Sequence, residues 1–242
     1  MEFFDQNTNA LFYAREKLDF MFNFLEGYEF GIGGGSVLKH IYKYIHREDM
    51  PYCFDADLSK MADIDIFPSS HEEAVLISQK LQNEGFIFLE ENPTSTNRKY
   101  FHEGERVDLV CPNAFLGKPE KILKFFDCAQ CSFMVTDQCG YYLENAFECV
   151  ENKQLMLNFV NNQFFNILRI YKYIKKGFEL QPKDELFLSK SLAENGEFYF
   201  HSGREYAQPG GDPTGVFPNG ERDVLQVDFE PELLTELWEK RM

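Results

Sequence analysis

Three consecutive glycines constrain this chain more than any other feature. Gly33-Gly34-Gly35 follows the short apolar stretch Tyr28-Glu29-Phe30-Gly31-Ile32 and precedes Ser36 and a helical pattern at Val37, Leu38, Ile41, Tyr44 and Ile45. A strand that passes into a helix through such a turn exposes backbone with no Cβ in the way. The first N–H groups of the helix then face the turn, and a serine hydroxyl adds a donor, which together suit an anion. A strand-to-helix turn also uses glycine for purely conformational reasons, so the turn alone assigns nothing. It is not a P-loop, because GxxxxGK[ST] is absent.

The next informative stretch is Ala62-Asp63-Ile64-Asp65-Ile66-Phe67. It alternates with period two, so a strand places both carboxylates on one face and Ile64 and Ile66 on the other. Two neighbouring carboxylates repel each other unless a cation joins them, and Mg2+ favours carboxylate oxygens together with substrate phosphates; a solvated acidic face is the alternative, which the flanking Ile64, Ile66 and Phe67 disfavour. Val107-Asp108-Leu109-Val110 repeats the pattern with a single acid. A third carboxylate on a neighbouring strand would complete a two-metal arrangement, although a lone strand aspartate is common and by itself assigns no role. Asp55-Ala56-Asp57 is a competing pair, but Leu58-Ser59-Lys60 after it reads as loop. Glu103 and Glu105 are alternatives to Asp108, placed at a turn.

Composition excludes several classes. The 242 residues are 44% hydrophobic and 26% charged, which rules out a disordered, collagenous or coiled-coil chain. A net charge of −16 argues against non-specific nucleic-acid binding, which depends on neutralising phosphates. No apolar run reaches the ~18 residues of a membrane span. Met1-Glu2-Phe3-Phe4-Asp5 carries acids where a secretion signal carries basic residues, so the expectation is a cytoplasmic protein with reduced cysteines.

Helix and strand signals alternate as far as about residue 110. Helices are predicted over 9–26, 36–45, 71–83 and 118–125, with Ser70 and Glu73 at capping-box spacing. Strands are predicted over 28–32, 62–67, 86–89, 98–102 and 106–111, and a hairpin over 131–143. From 161 to 177 the pattern is helical again. The expected organisation is a mixed domain at 1–155 and a helical region at 156–242, with a Gly/Pro-rich loop at 203–222 and a last helix at 232–240.

Taken in order, the glycine turn, the DxD and the third acid resemble the nucleotidyltransferase superfamily of DNA polymerase β, poly(A) polymerases and CCA-adding enzymes. The resemblance covers about 28–110. It implies an α+β fold, a mixed sheet flanked by helices and followed by a smaller, mostly helical C-terminal region. It implies that Gly34, Gly35 and Ser36 bind phosphate, that Asp63 and Asp65 hold metal, and that Asp108 is the third metal-binding and catalytic acid. Phe126-Asp127-Cys128-Ala129-Gln130-Cys131 and the helix bearing Arg169 resemble later segments of the poly(A) polymerase and CCA-adding type, placing Asp127 and Arg169 at the nucleotide. Those enzymes carry Arg-Asp after the glycines; here Leu38 and Lys39 stand there, and Lys39 substitutes only as a charge.

The implied cofactor is Mg2+ or Mn2+, and the implied substrate is a nucleoside triphosphate. The implied acceptor is an RNA or tRNA 3′ end. A protein or small-molecule acceptor, or a non-catalytic nucleotide- or partner-binding relative, stands as the alternative. No membrane partner is expected. Lys118, Lys121 and Lys124 form one basic stripe, and Lys172, Lys175 and Lys176 form another; Arg98 and Lys99 precede the third acid and are placed to reach a triphosphate. Cys128 and Cys131 have ligand spacing, but Cys139 and Cys149 make no second pair, so buried thiols are expected rather than zinc.

Overall fold

A computed structural model describes residues 5–51, 63–91, 97–112, 115–160, 163–195 and 215–229. The competing acids Asp55 and Asp57, most of the 203–222 loop and the expected last helix lie outside the described residues. The chain opens with α1 (Gln6–Lys17) and α2 (Asp19–Phe24), then β1 (Phe30–Gly33) and α3 (Gly35–His46). β2 (Asp63–Pro68), α4 (His71–Asn83), β3 (Ile87–Glu91), β4 (Arg98–His102) and β5 (Glu105–Leu109) follow. Then come α5 (Pro119–Lys124), β6 (Phe133–Val135), β7 (Cys139–Leu143) and α6 (Ala146–Glu151). The remainder is β8 (Gln154–Leu155), α7 (Gln163–Lys175), β9 (Glu179–Leu180), α8 (Pro182–Asn195) and β10 (Val224–Asp228).

Eight strands form one mixed sheet in the order β10-β7-β6-β1-β2-β5-β4-β3. Only β2 and β5 pair in parallel within it; the other neighbours run antiparallel. The expected mixed sheet flanked by helices is therefore present. Ile64, Ile66, Val107 and Tyr100 are buried on one face, under α3 and α4. The Tyr100 hydroxyl lies 2.6 Å from that of Ser78 on α4, a buried pair that ties helix to sheet. On the other face Phe67 packs against Phe115 and Phe126, with ring centroids 6.3 and 5.5 Å away.

Local chemistry sets the boundaries. Asp5 caps α1 by accepting the Thr8 N–H at 2.8 Å, so the helix begins earlier than expected. The single helix expected over 9–26 is two helices, because the chain leaves helical geometry at Leu18, and Asp19 starts again with its carboxylate on Arg15 at 2.7 Å. Ser70 caps α4 as anticipated, accepting the Glu73 N–H. Residues 224–228, which receive no element from the sequence reading, pair with β7 and extend the sheet. The helical half is thus joined to the sheet. Asp184 of α8 is buried and accepts from the Leu157 N–H and the Asn219 amide, which fastens α8 to both neighbouring segments.

Candidate active site

The register of three strands builds the site. Gly33 pairs with Asp65 across β1 and β2, and Asp65 pairs with Asp108 across β2 and β5. Paired positions share a face, and so do residues two apart on one strand. Asp63, Asp65 and Asp108 therefore stand on the same side of the sheet, the side opposite Ile64. Beside them the chain turns into α3 through Gly34, whose φ is +68°. A Cβ at Gly34 would sit 3.1 Å from Asp65 Oδ2, so any side chain there would press on the carboxylate. The turn thus brings the first-turn N–H groups of α3, which a helix leaves without internal acceptors, next to the acids.

Each carboxylate meets a different environment. Burial raises the Asp65 pKa, and the charges of Asp108 and Asp63 raise it further, up to about 7; Arg169 and Lys172 oppose them. Burial also raises Asp63, opposed by Arg106. Asp108 accepts two hydrogen bonds from Arg106, at 3.0 and 2.9 Å, and the same guanidinium reaches Asp63 at 3.4 Å. The sequence pattern alone gives Arg106 no role. The signal was available, since Arg106 is two residues before Asp108 and must share its face. Lys99 pairs with Asp108 across β4 and β5, so it stands on this side; Arg98 pairs with Leu109 and does not, contrary to its expected role.

Among the described residues, no three His, Cys, Asp or Glu side chains form a ready metal-binding group. The chemistry of the donors nevertheless fits a hard cation. The set is all carboxylate oxygen, and Asp65 is held near neutrality by burial and repulsion that a cation would relieve. Arg106 already supplies positive charge between Asp63 and Asp108.

The other expected residues divide. Arg169 lies 2.7 Å from Asp127, and both it and Lys172, three residues on along α7, are close enough to pull down the Asp65 pKa. The Asp127–Arg169 pair therefore borders the acids. Ser36 is buried, and its hydroxyl donates to Gly33 O at 2.9 Å, so its side chain braces the turn. Lys39 does not join the group. It lines a separate cavity with Ile64, on the far side of the sheet. Cys128 and Cys131 are buried beside Asp127, with burial raising both thiols, and Cys131 Sγ donates to Cys128 O.

No family model matches the sequence, and no curated protein does. Among solved structures, the chain is similar to a tRNA-processing enzyme with CTP, at 12% identity and a TM-score of 0.45, covering 75% of this chain and 46% of that one. It is similar to the Bacillus stearothermophilus CCA-adding enzyme in complex with CTP, at 14% identity and a TM-score of 0.42, covering 80% and 44%. A tRNA nucleotidyltransferase complexed with a primer tRNA and an incoming ATP analog gives 13% identity and a TM-score of 0.45, covering 75% and 50%. The chain spans about half the length of these proteins.

Proposed function

We propose that this chain is a nucleotidyltransferase, moving a nucleoside monophosphate from a triphosphate to an acceptor hydroxyl, with an RNA 3′ end as the acceptor. One observation carries the reading: Asp65 and Asp108 are in-register neighbours on one face, directly beside the Gly34 turn. That arrangement sets acidic oxygens next to an anion-binding helix start, the pairing that a polyphosphate with its counter-cation requires. Asp63, Asp65 and Asp108 would hold Mg2+ or Mn2+. When bound, the ion would supply Lewis-acid stabilisation of phosphoryl charge and a lowered pKa for a coordinated hydroxyl. The α3 N–H groups receive phosphate oxygens. Arg169, oriented by Asp127, and Lys172 offset negative charge as the bond to the leaving pyrophosphate breaks.

RNA is favoured as acceptor by the sequence resemblance and by the basic run on α7, where Lys172 and Lys175 follow Arg169 on a chain of net charge −16. Arg106 favours a second reading, a nucleotide-binding relative that transfers nothing, because its guanidinium already bridges Asp63 and Asp108. Incubation with Mg2+ or Mn2+, each labelled NTP and RNA separates the two. Labelled RNA from the wild type, lost by at least about 100-fold in Asp65→Asn, supports transfer. Nucleotide binding with no labelled product from any acceptor supports the second reading and overturns the first.

A further inference from the structure

Two arginines border the acids, and they are held differently. Arg169 lies 2.7 Å from Asp127, a carboxylate outside the Asp63, Asp65 and Asp108 set. Arg106 has no separate partner of that kind. It pairs in register with Asp63 across β2 and β5. Its guanidinium forks onto Asp108, Nε donating to Oδ1 at 3.0 Å and Nη2 to Oδ2 at 2.9 Å, and Nε lies 3.4 Å from Asp63 Oδ1. Among the described residues its ion pairs are with these two acids alone. The carboxylates that hold Arg106 are thus ones that a divalent cation would take.

The two cations compete for the same oxygens. Both oxygens of Asp108 already accept an N–H, and a divalent ion on them meets the guanidinium at close range, where like charges repel strongly. Seating the ion there therefore releases Arg106. The pair is sheltered, with the Asp108 side chain 13% and the Arg106 side chain 23% exposed, so water replaces the lost carboxylate incompletely. A guanidinium stripped of its anion in that position is unfavourable until another anion arrives. A triphosphate drawn to the cation brings one, and phosphate oxygens accept the two-pronged N–H fork as a carboxylate does.

We propose that Arg106 couples the binding of cation and triphosphate: it holds the acids in the metal-free protein and passes to phosphate oxygens when the cation takes Asp63 and Asp108. The inference rests on the reading of the three acids as a cation seat and deepens it. Either ligand alone meets an obstacle. The cation must evict Arg106, and the triphosphate must draw Arg106 away and leave bare carboxylates beside itself. Together, each removes the obstacle to the other, and a coupling of this kind is reciprocal.

Two affinities of the full chain test it, in wild type, Arg106→Gln and Arg106→Lys. The first is for Mn2+ alone, read by electron paramagnetic resonance of the free ion. The second is for α,β-methylene-ATP at saturating Mn2+, read by calorimetry. Arg106→Gln is expected to tighten Mn2+ alone about tenfold and to weaken the nucleotide about tenfold, each the worth of a charge-assisted hydrogen bond. Arg106→Lys keeps the charge without the fork and should move both affinities in the same opposed senses by smaller factors. A residue that only braces the acids would weaken both, and one that only obstructs the cation would tighten both. Changes of the same sign, or an affinity that does not move, overturn the proposal. Same-sign changes in a chain that labels RNA overturn the proposal alone; opposed changes without labelled product leave it standing and remove the transfer. Absence of Mn2+ binding by the wild type overturns both.

Discussion

Asp65 carries the largest electrostatic load of any carboxylate in the site. Its folded-state pKa of about 7 stands well above its ordinary 3.8. A raised carboxyl pKa means that the folded chain holds the proton longer than the unfolded chain. This group therefore costs no stability below about pH 4. The penalty grows as the pH rises from there to about 7 and is constant above. Asp65→Asn removes it. In metal-free buffer the variant should be more stable than wild type at pH 8 and equal to it near pH 4, as read by urea unfolding at both pH values. Divalent cations should narrow the pH 8 gap by stabilising only the wild type. Arg106 is the second lever. Arg106→Gln releases Asp63 and Asp108 from its guanidinium, so the metal-free protein should lose stability while Mn2+ binds more tightly. Unchanged Mn2+ affinity would show that Arg106 does not compete with the ion.

At the scale of elements, the β1–α3 turn sets Gly34 against Asp65, and the α4–sheet contact carries stability. Gly34→Ala forces a Cβ into a left-handed backbone and within 3.1 Å of Asp65. It should weaken triphosphate binding by about tenfold or more, at a stability cost of about 1 kcal/mol or more. Calorimetric titration with an NTP and thermal melting read the two effects separately. On the opposite face, Tyr100→Phe strips Ser78 of its buried partner and should cost about 1 kcal/mol in urea unfolding, with transfer unaffected. Most of this architecture was legible from patterns of period two and 3.6. The alternation at 62–67 located β2, and Ser70 with Glu73 marked the start of α4. What escaped were features set by other parts of the chain. The break at Leu18 follows no glycine or proline. β10 alternates too weakly to declare itself, with Val224 and Val227 half-buried at the edge, and becomes a strand because β7 offers it an unpaired partner.

For the whole molecule, the sheet is a partition. One face is closed by helices and holds the Lys39 cavity; the other presents the acids, the glycine turn and the Asp127–Arg169 pair. Strand parity is a local property, so the sequence alone could set Asp63 and Asp65 on one face, and the register adds Asp108 to it. The sequence misplaced Lys39 because position along α3 gives helical rotation only relative to packing, and packing against β2 sends Lys39 backward beside Ile64. It overestimated the Ser36 side chain for the same reason, since burial turns that hydroxyl onto Gly33 O. Central to the account is that divalent cation and triphosphate meet at the acids. Paramagnetic broadening by Mn2+–ATP tests this most directly. The account predicts that the amide signals of Gly34, Asp65 and Asp108 broaden first, those of Lys39 and His40 persist, and Asp65→Asn abolishes the effect. Broadening centred on Lys39 and His40, or none at any of the three acids, would contradict it.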